Sequence, residues 1–252
     1  MPYPYLVGSR SIHGKFVWFE HASNSIEAAR TFYEGLFGWG TEMVKTSHGE
    51  YPVIKCGQAG FGGYRTPTAP EPVHWSAYLS VEDVDSALAA ALTAGASIIL
   101  TAKDLGHVGR GAAILDPIGA PLYLWHGKLG DPDDSCKTPI GHWHSGLYLT
   151  PDDSALGFYE RHFGWEIKQV HGTGYSWLGK DSVNRALALK ASSIERAIWS
   201  PVVAIDDCSS AVEWAVAQGA RRMHPVSSIP GIGTIAILMD PFGAVVTLYA
   251  AH

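Results

Sequence analysis

Cysteine is scarce: Cys56, Cys136 and Cys208 are the three in 252 residues. Odd in number, far apart and without a C-x-x-C, they exclude a disulfide framework and a thiolate zinc knuckle, and they fit a reducing cytoplasm. Positive charge is short too, with 18 Lys and Arg against 24 Asp and Glu and a net charge of −6. No basic run offers phosphate backbones a complementary surface, so nucleic acid is excluded as a partner. No uninterrupted apolar stretch is long enough to span a bilayer, and the opening MPYPYLVGSRSIHG lacks the basic start and apolar run of a leader. The expectation is a cytoplasmic protein away from the membrane. Glycine is plentiful, but neither GQAGFGG nor PGIGTI precedes a helix or carries a Walker lysine, so both read as turns rather than phosphate loops.

What the chain does have is repetition. FYEGLFGW at 32–39 returns as FYERHFGW at 158–165, an offset of 126 residues. The stretch HWSAYLSVEDVDSALAAALTAGA from His74 returns from Ile198, and LDPIGA from Leu115 returns as MDPFGA from Met239, both at an offset of 124. Three matches in one order mean a duplicated domain. Between the copies, GKLGDPDDSCKTPI at 127–140 is rich in Gly, Pro and Asp and reads as linker.

Each copy holds elements in one repeated order. KFVWFEHA has strand composition, and NSIEAARTFYEGLF then places Ile26, Ala29, Phe32, Tyr33 and Leu36 at helical spacing, opened by Ser23 or Asn24 as a cap. Three short strands follow, around 41–46, 50–56 and 59–65. The cycle restarts with a strand at 73–81, a helix at 83–94 ended by Gly95, and strands near 97–101, 110–115 and 120–126. The second copy follows the same plan, with a strand at 141–149, a helix at 151–163, a strand at 197–205 and a helix at 207–218. The chain is therefore four βαβββ units.

A strand, a helix carrying FY and FGW, then strands closing on D-P-x-G-A: this order resembles the vicinal oxygen chelate superfamily of glyoxalases, bleomycin-type resistance proteins and extradiol dioxygenases. Within it, the two-domain glyoxalase-like proteins are the nearest pattern. The resemblance implies an α+β fold of two tandem glyoxalase-like domains, 1–132 and 133–252. Each would be two βαβββ units in a curled mixed sheet that forms a cup around a small ligand, with helices outside. Members that use a metal hold it from the first and last strands of the units, so the resemblance also implies where ligands to Fe, Zn, Mn or Ni would stand.

Those slots are poorly filled. The family's first-strand ligand lies fourteen residues before the Phe of FY, a count that leads to His144 from Phe158 and to Trp18 from Phe32. The second-unit slots carry Ser76 and Ser200. A last-strand carboxylate is expected seven residues after the Asp of DP, and there the chain has Tyr123 and Thr247. A catalytic divalent metal ordinarily takes three protein ligands plus an open position. His142 and His144 are the only obvious pair, so the expected site is metal-free or degenerate, with those two as ligands if a metal binds.

Side-chain alternation along strands sends Trp18, Glu20, His74, Ser76, Tyr78, Tyr123 and Trp125 into the first hollow. Indole and phenol faces suit a planar or unsaturated ligand, and hydroxyls can orient it. Glu20 and His74 are the candidates for proton transfer, with His74, Arg65 or Arg110 as the partner a buried Glu20 needs. The same alternation sends His142, His144, Tyr148, Ser200, Thr247 and Tyr249 into the second hollow and turns His21, Trp143, Leu147 and Leu149 toward the helices. His107, in DLGHVGRG, reads as a solvated loop. The leading expectation is a glyoxalase-like protein, enzymatic, acting on a small carbonyl or aromatic metabolite in the first hollow. A metal-dependent lyase or dioxygenase and a sequestering protein of the bleomycin-resistance kind stand beside it, as does a second domain that is only structural. The expected partner is a small-molecule ligand, with a homodimer left open.

Overall fold

Alternating FVWFEHA makes the strand β1 (Phe16–Ala22), and the helix α1 (Ile26–Phe37) follows it. The meander β2 (Gly40–Thr46), β3 (Gly49–Cys56) and β4 (Ala59–Arg65) completes one unit. The second unit is β5 (His74–Ser80), α2 (Val84–Thr93), β6 (Ser97–Asp104), β7 (Gly109–Leu115) and β8 (Pro121–Gly127). The third is β9 (Trp143–Thr150), α3 (Leu156–Phe163), β10 (Glu166–Gln169), β11 (Tyr175–Lys180) and β12 (Val183–Lys190). The fourth is β13 (Ile198–Ala204), α4 (Cys208–Ala217), β14 (Arg221–Ile229), β15 (Gly233–Met239) and β16 (Val245–Ala250). This computed structural model describes residues 10–46, 49–68, 71–134, 138–191 and 194–252; Cys136 and most of the opening stretch fall outside them.

Units pair in sequence. One eight-stranded sheet runs β2-β3-β4-β1-β5-β8-β7-β6 and the other β10-β11-β12-β9-β13-β16-β15-β14. In each, the two first strands meet antiparallel at the centre, β1 on β5 and β9 on β13, while β1–β4, β5–β8, β9–β12 and β13–β16 are parallel.

Local chemistry sets the helix ends. The glycine of FGW closes α1 and α3 in the left-handed region, at φ 68° for Gly38 and 65° for Gly164, a conformation that costs glycine little. Asp83 and Asp207 cap α2 and α4 by accepting backbone N–H groups of Ser86 and Ser209. Two sequence expectations shift. Ser25 occupies the cap position of α1 without a side-chain cap, while Ser23 bonds the Ser25 backbone instead. The helix expected from 151 starts at Leu156, because the Asp152 carboxylate takes the Ser154 N–H at 2.7 Å and holds a turn where helix would begin.

The helix-covered faces of both sheets share one core, which holds Phe19, Tyr33, Trp39 and Trp75 from the first half with Tyr148, Tyr159, Trp165 and Trp199 from the second. The repeated motifs tie the halves together. Tyr33 of the first FY donates to Asp240 Oδ2 at 2.8 Å, and Tyr159 of the second donates to Asp116 Oδ2 at 2.8 Å. Each aspartate's Oδ1 accepts backbone N–H groups of its own D-P-x-G-A turn, Ile118 and Ala120 for Asp116, and Phe242, Gly243 and Ala244 for Asp240. The tryptophans of FGW do likewise: Trp39 Nε1 donates to the Gly141 carbonyl at 2.6 Å and Trp165 Nε1 to the Gly14 carbonyl at 3.1 Å. The motifs that mark the repeat are thus the pseudo-symmetric bonds between its copies. Among the described residues no helix is long and apolar enough to cross a membrane.

Candidate active site

On the opposite face of the first sheet, a separate cluster gathers Val17, Trp18, Val53, Tyr78, Val108, Ala113, Tyr123 and Trp125. Cross-strand register builds it: Trp18 lies beside Tyr78, Glu20 beside Ser76, and Tyr78 beside Tyr123. The Tyr78 and Tyr123 rings stack at 4.7 Å, with Trp125 edge-on to Tyr78 at 6.2 Å. Of the residues assigned to the first hollow, Trp18, Tyr78, Tyr123 and Trp125 fall in this cluster, while Glu20, Ser76 and His74 border it through strand register and hydrogen bonds.

A charged network runs through this aromatic wall. Glu20, 2% exposed, accepts the Tyr78 hydroxyl at 2.6 Å, the Tyr51 hydroxyl, and an ion pair from Arg65 Nε at 3.2 Å. Burial alone would raise the Glu20 pKa; positive charge, Arg65's included, and the Tyr51 bond outweigh it and hold the carboxyl below its ordinary range. Burial raises the Tyr78 hydroxyl, with the Glu20 charge adding to it, and burial pushes Tyr123 up to about 12. Arg65, last residue of β4, also bonds the Glu71 carboxylate through both terminal nitrogens, at 2.6 and 2.5 Å, and its Nη2 reaches Ser76 Oγ at 2.9 Å and Tyr123 Oη at 3.1 Å. Arg110 instead pairs with the exposed Asp85, away from this network.

His74 belongs to the network but not as a direct partner of Glu20. Its Nδ1 lies 3.0 Å from the Pro72 carbonyl, which only accepts, so Nδ1 carries the proton. Nε2 is then the acceptor facing Ser76 Oγ at 3.1 Å, with Glu71 at 3.5 Å. Burial lowers the His74 pKa and favours this neutral form. Tyr51 and Glu71 escaped the sequence reading. Tyr51 stands two residues before the buried Val53, which alternation alone can reveal. Glu71 lies in a Pro-rich connection with no periodic signal.

The second hollow is built from different side chains. Leu147 stands opposite Ser200 as Glu20 stands opposite Ser76; Val202 replaces Tyr78, Thr247 replaces Tyr123, and Leu189 takes the position of Arg65. Leu147, Leu149, Leu187, Leu189, Val202, Ile235, Ile237 and Val245 pack together there, and Ser200 turns its hydroxyl to Thr247 Oγ1 at 2.9 Å. Three expectations for this half need correction. A β-bulge leaves His144 as the extra residue between the pairs Trp143–Val203 and Ser145–Val202, so the alternation reverses beyond it. Tyr148 therefore points into the shared core and donates to Asp116, while Leu147 and Leu149 face the hollow. His142 stacks on Phe61 of the first half at 4.9 Å, whereas His144 stacks on Tyr249 at 4.3 Å and meets Thr138 through Nδ1, so the two histidines do not converge. The same register makes Val17, the extra residue of β1, the counterpart of His144.

His21 lies on the helix side as expected, but it is a tie between the halves, with Nε2 2.8 Å from Asp240 Oδ2. Among the described residues no three His, Cys, Asp or Glu side chains gather as a metal's ligands would. The donor set of the first hollow does not fit a divalent ion either, because Ser76 and Tyr123, which stand in the family's slots, already accept from a guanidinium.

The sequence model of the glyoxalase/bleomycin resistance protein/dioxygenase superfamily matches residues 15–123, the stretch that contains this site except Trp125. The first domain belongs to that superfamily. The second repeats its fold. CFP32 of Mycobacterium bovis, provisionally named a glyoxylase, is 29% identical over 241 residues, covering 90% of this chain and 91% of its own. The anthracycline biosynthesis protein DnrV of Streptomyces peucetius is 26% identical over 256 residues, covering 94% and 93%. Among solved structures, the Mn(II)-bound glyoxalase of Novosphingobium aromaticivorans superposes with a TM-score of 0.62 at 14% identity, covering 96% of this chain and 82% of that one. The 2,3-dioxygenase LapB of Pseudomonas sp. KL28 gives 0.61 at 11% identity, covering 98% and 93%. At such identities these two speak for the fold alone.

Proposed function

We propose that the first hollow is a small-molecule site of glyoxalase-like type, acting on a planar, carbonyl-bearing metabolite by proton transfer without a metal. The observation that carries this reading is the contrast between two hollows of one fold: equivalent positions hold Glu20, Arg65, Tyr78 and Tyr123 in one and Leu147, Leu189, Val202 and Thr247 in the other. Burying charge and phenols is costly even when they are paired, whereas the apolar set simply packs, so keeping the polar set in one hollow points to a function there. The neutral His74 imidazole, oriented by the Pro72 carbonyl, is the base, accepting a proton at Nε2 once a ligand displaces the Ser76 hydroxyl. Glu20, ionised and hydrogen-bonded, fixes Tyr78 and Arg65 rather than moving the proton. One relative is named for glyoxylase activity and another for anthracycline biosynthesis, so the names do not choose the substrate.

The saturation of Glu20 favours a second reading, tight binding without turnover. Phenylpyruvate separates the two, because its ring suits the aromatic wall and the proton beside its carbonyl is acidic. An enzyme accelerates its keto–enol exchange, followed by enol absorbance, and His74→Ala loses that acceleration while tryptophan quenching by the ligand persists. Quenching with no acceleration in the wild type supports sequestration.

A further inference from the structure

Building on the reading of the first hollow as the ligand site, we infer that Arg65 is its recognition cation for compounds with two adjacent oxygens, such as 2-oxo acids, and that Glu71 is a built-in counter-ion which such a ligand displaces. Three observations carry it. The first is geometry: Glu71 grips the guanidinium edge with both carboxylate oxygens, at 2.6 and 2.5 Å, the paired contact a planar ligand bearing two oxygens would make.

The second is position. Arg65 Nη2 reaches Ser76 Oγ at 2.9 Å and Tyr123 Oη at 3.1 Å, and the ring of Tyr123 lies 5.9 Å from the guanidinium carbon. The cation therefore stands between the polar floor and the stacked Tyr78–Tyr123 wall, where a ligand's ring and its oxygens would be met together. The third is release. Glu20 is 2% exposed on its side chain, whereas Arg65 and Glu71 are 19% and 17% exposed, so the outer carboxylate is the one that solvent and ligand reach. Glu71 comes from the connection between β4 and β5, whose local closure is the pair Glu71 N–H to Thr68 carbonyl at 2.8 Å and Thr68 N–H to Glu71 Oε2 at 2.9 Å. Exchange of Glu71 for an anionic ligand leaves the charge around Arg65 unchanged, because one carboxylate replaces another. Arg65 so takes the role a divalent ion would have in gripping vicinal oxygens.

The test is isothermal titration of the full-length protein with phenylpyruvate and with phenylacetone, which keeps the ring and one carbonyl but lacks the carboxylate. Glu71→Gln removes the competitor and should tighten phenylpyruvate by about tenfold while leaving phenylacetone unchanged. Arg65→Lys keeps the charge but not the fork, and should abolish the preference for phenylpyruvate over phenylacetone. Unchanged or weaker phenylpyruvate binding in Glu71→Gln overturns the exchange. Binding of phenylacetone alone overturns the inference and leaves the ligand site standing. Binding of neither to the wild type overturns both.

Discussion

Tyr159→Phe removes one oxygen atom and with it two bonds: the phenol's donation across the middle of the molecule to Asp116 Oδ2 at 2.8 Å, and the donation of Trp199 Nε1, from the same half, to that phenol at 2.8 Å. A hydrogen bond to a charged acceptor contributes roughly 1.5–3 kcal/mol and an orphaned buried indole N–H costs about 1 kcal/mol more, so the variant should lose about 3 kcal/mol. Tyr33→Phe deletes the pseudo-symmetric pair, to Asp240 at 2.8 Å and from Trp75 at 2.9 Å, and should cost about as much. Tyr64 is the internal control, because its hydroxyl is equally buried but has no hydrogen-bond partner among the described residues. Tyr64→Phe should be neutral or stabilising by about 1 kcal/mol. Urea unfolding followed by tryptophan fluorescence reads all three. If Tyr159→Phe falls within about 0.5 kcal/mol of Tyr64→Phe, the motifs are not the ties between the halves.

Other consequences are equally direct. The depressed pKa of Glu20 makes its stabilisation complete above the ordinary carboxylate range and lost as pH falls toward about 2; Glu20→Gln should flatten that acid limb in thermal unfolding across pH. Gly35→Ala places a Cβ 2.6 Å from the Trp214 ring where α1 meets α4, so it should destabilise by about 1–3 kcal/mol, although alanine favours helix elsewhere; chemical denaturation measures it. Leu187→Ala in the second hollow should cost about 2–5 kcal/mol and leave phenylpyruvate affinity unchanged, as expected of packing without ligand contact.

The repeat, the four units and the converging aromatics of the first hollow were legible because alternation and self-similarity survive in sequence. Strand parity placed Trp18, Glu20, Ser76, Tyr78 and Tyr123 on one face because β5 pairs in unbroken register with β1 from Trp18 onward. Tyr148 failed for the converse reason: the bulge at His144 shifts parity by one, and no residue near it announces the bulge. The roles of Asp116 and Asp240 were hidden because a turn-forming aspartate looks complete with its own backbone bonds, and its second oxygen reaches a residue in the other half. Arg65 was visible as a candidate partner for Glu20, but its contact with the two slot residues depends on how three strands converge.

The most direct measurement is the set of tryptophan indole resonances during phenylpyruvate titration. If the first hollow takes the ligand, Trp18 and Trp125 shift in step with binding while Trp39, Trp143, Trp165 and Trp199, packed between the halves, stay still. Shifts confined to the latter group, or none at saturating ligand, would contradict it.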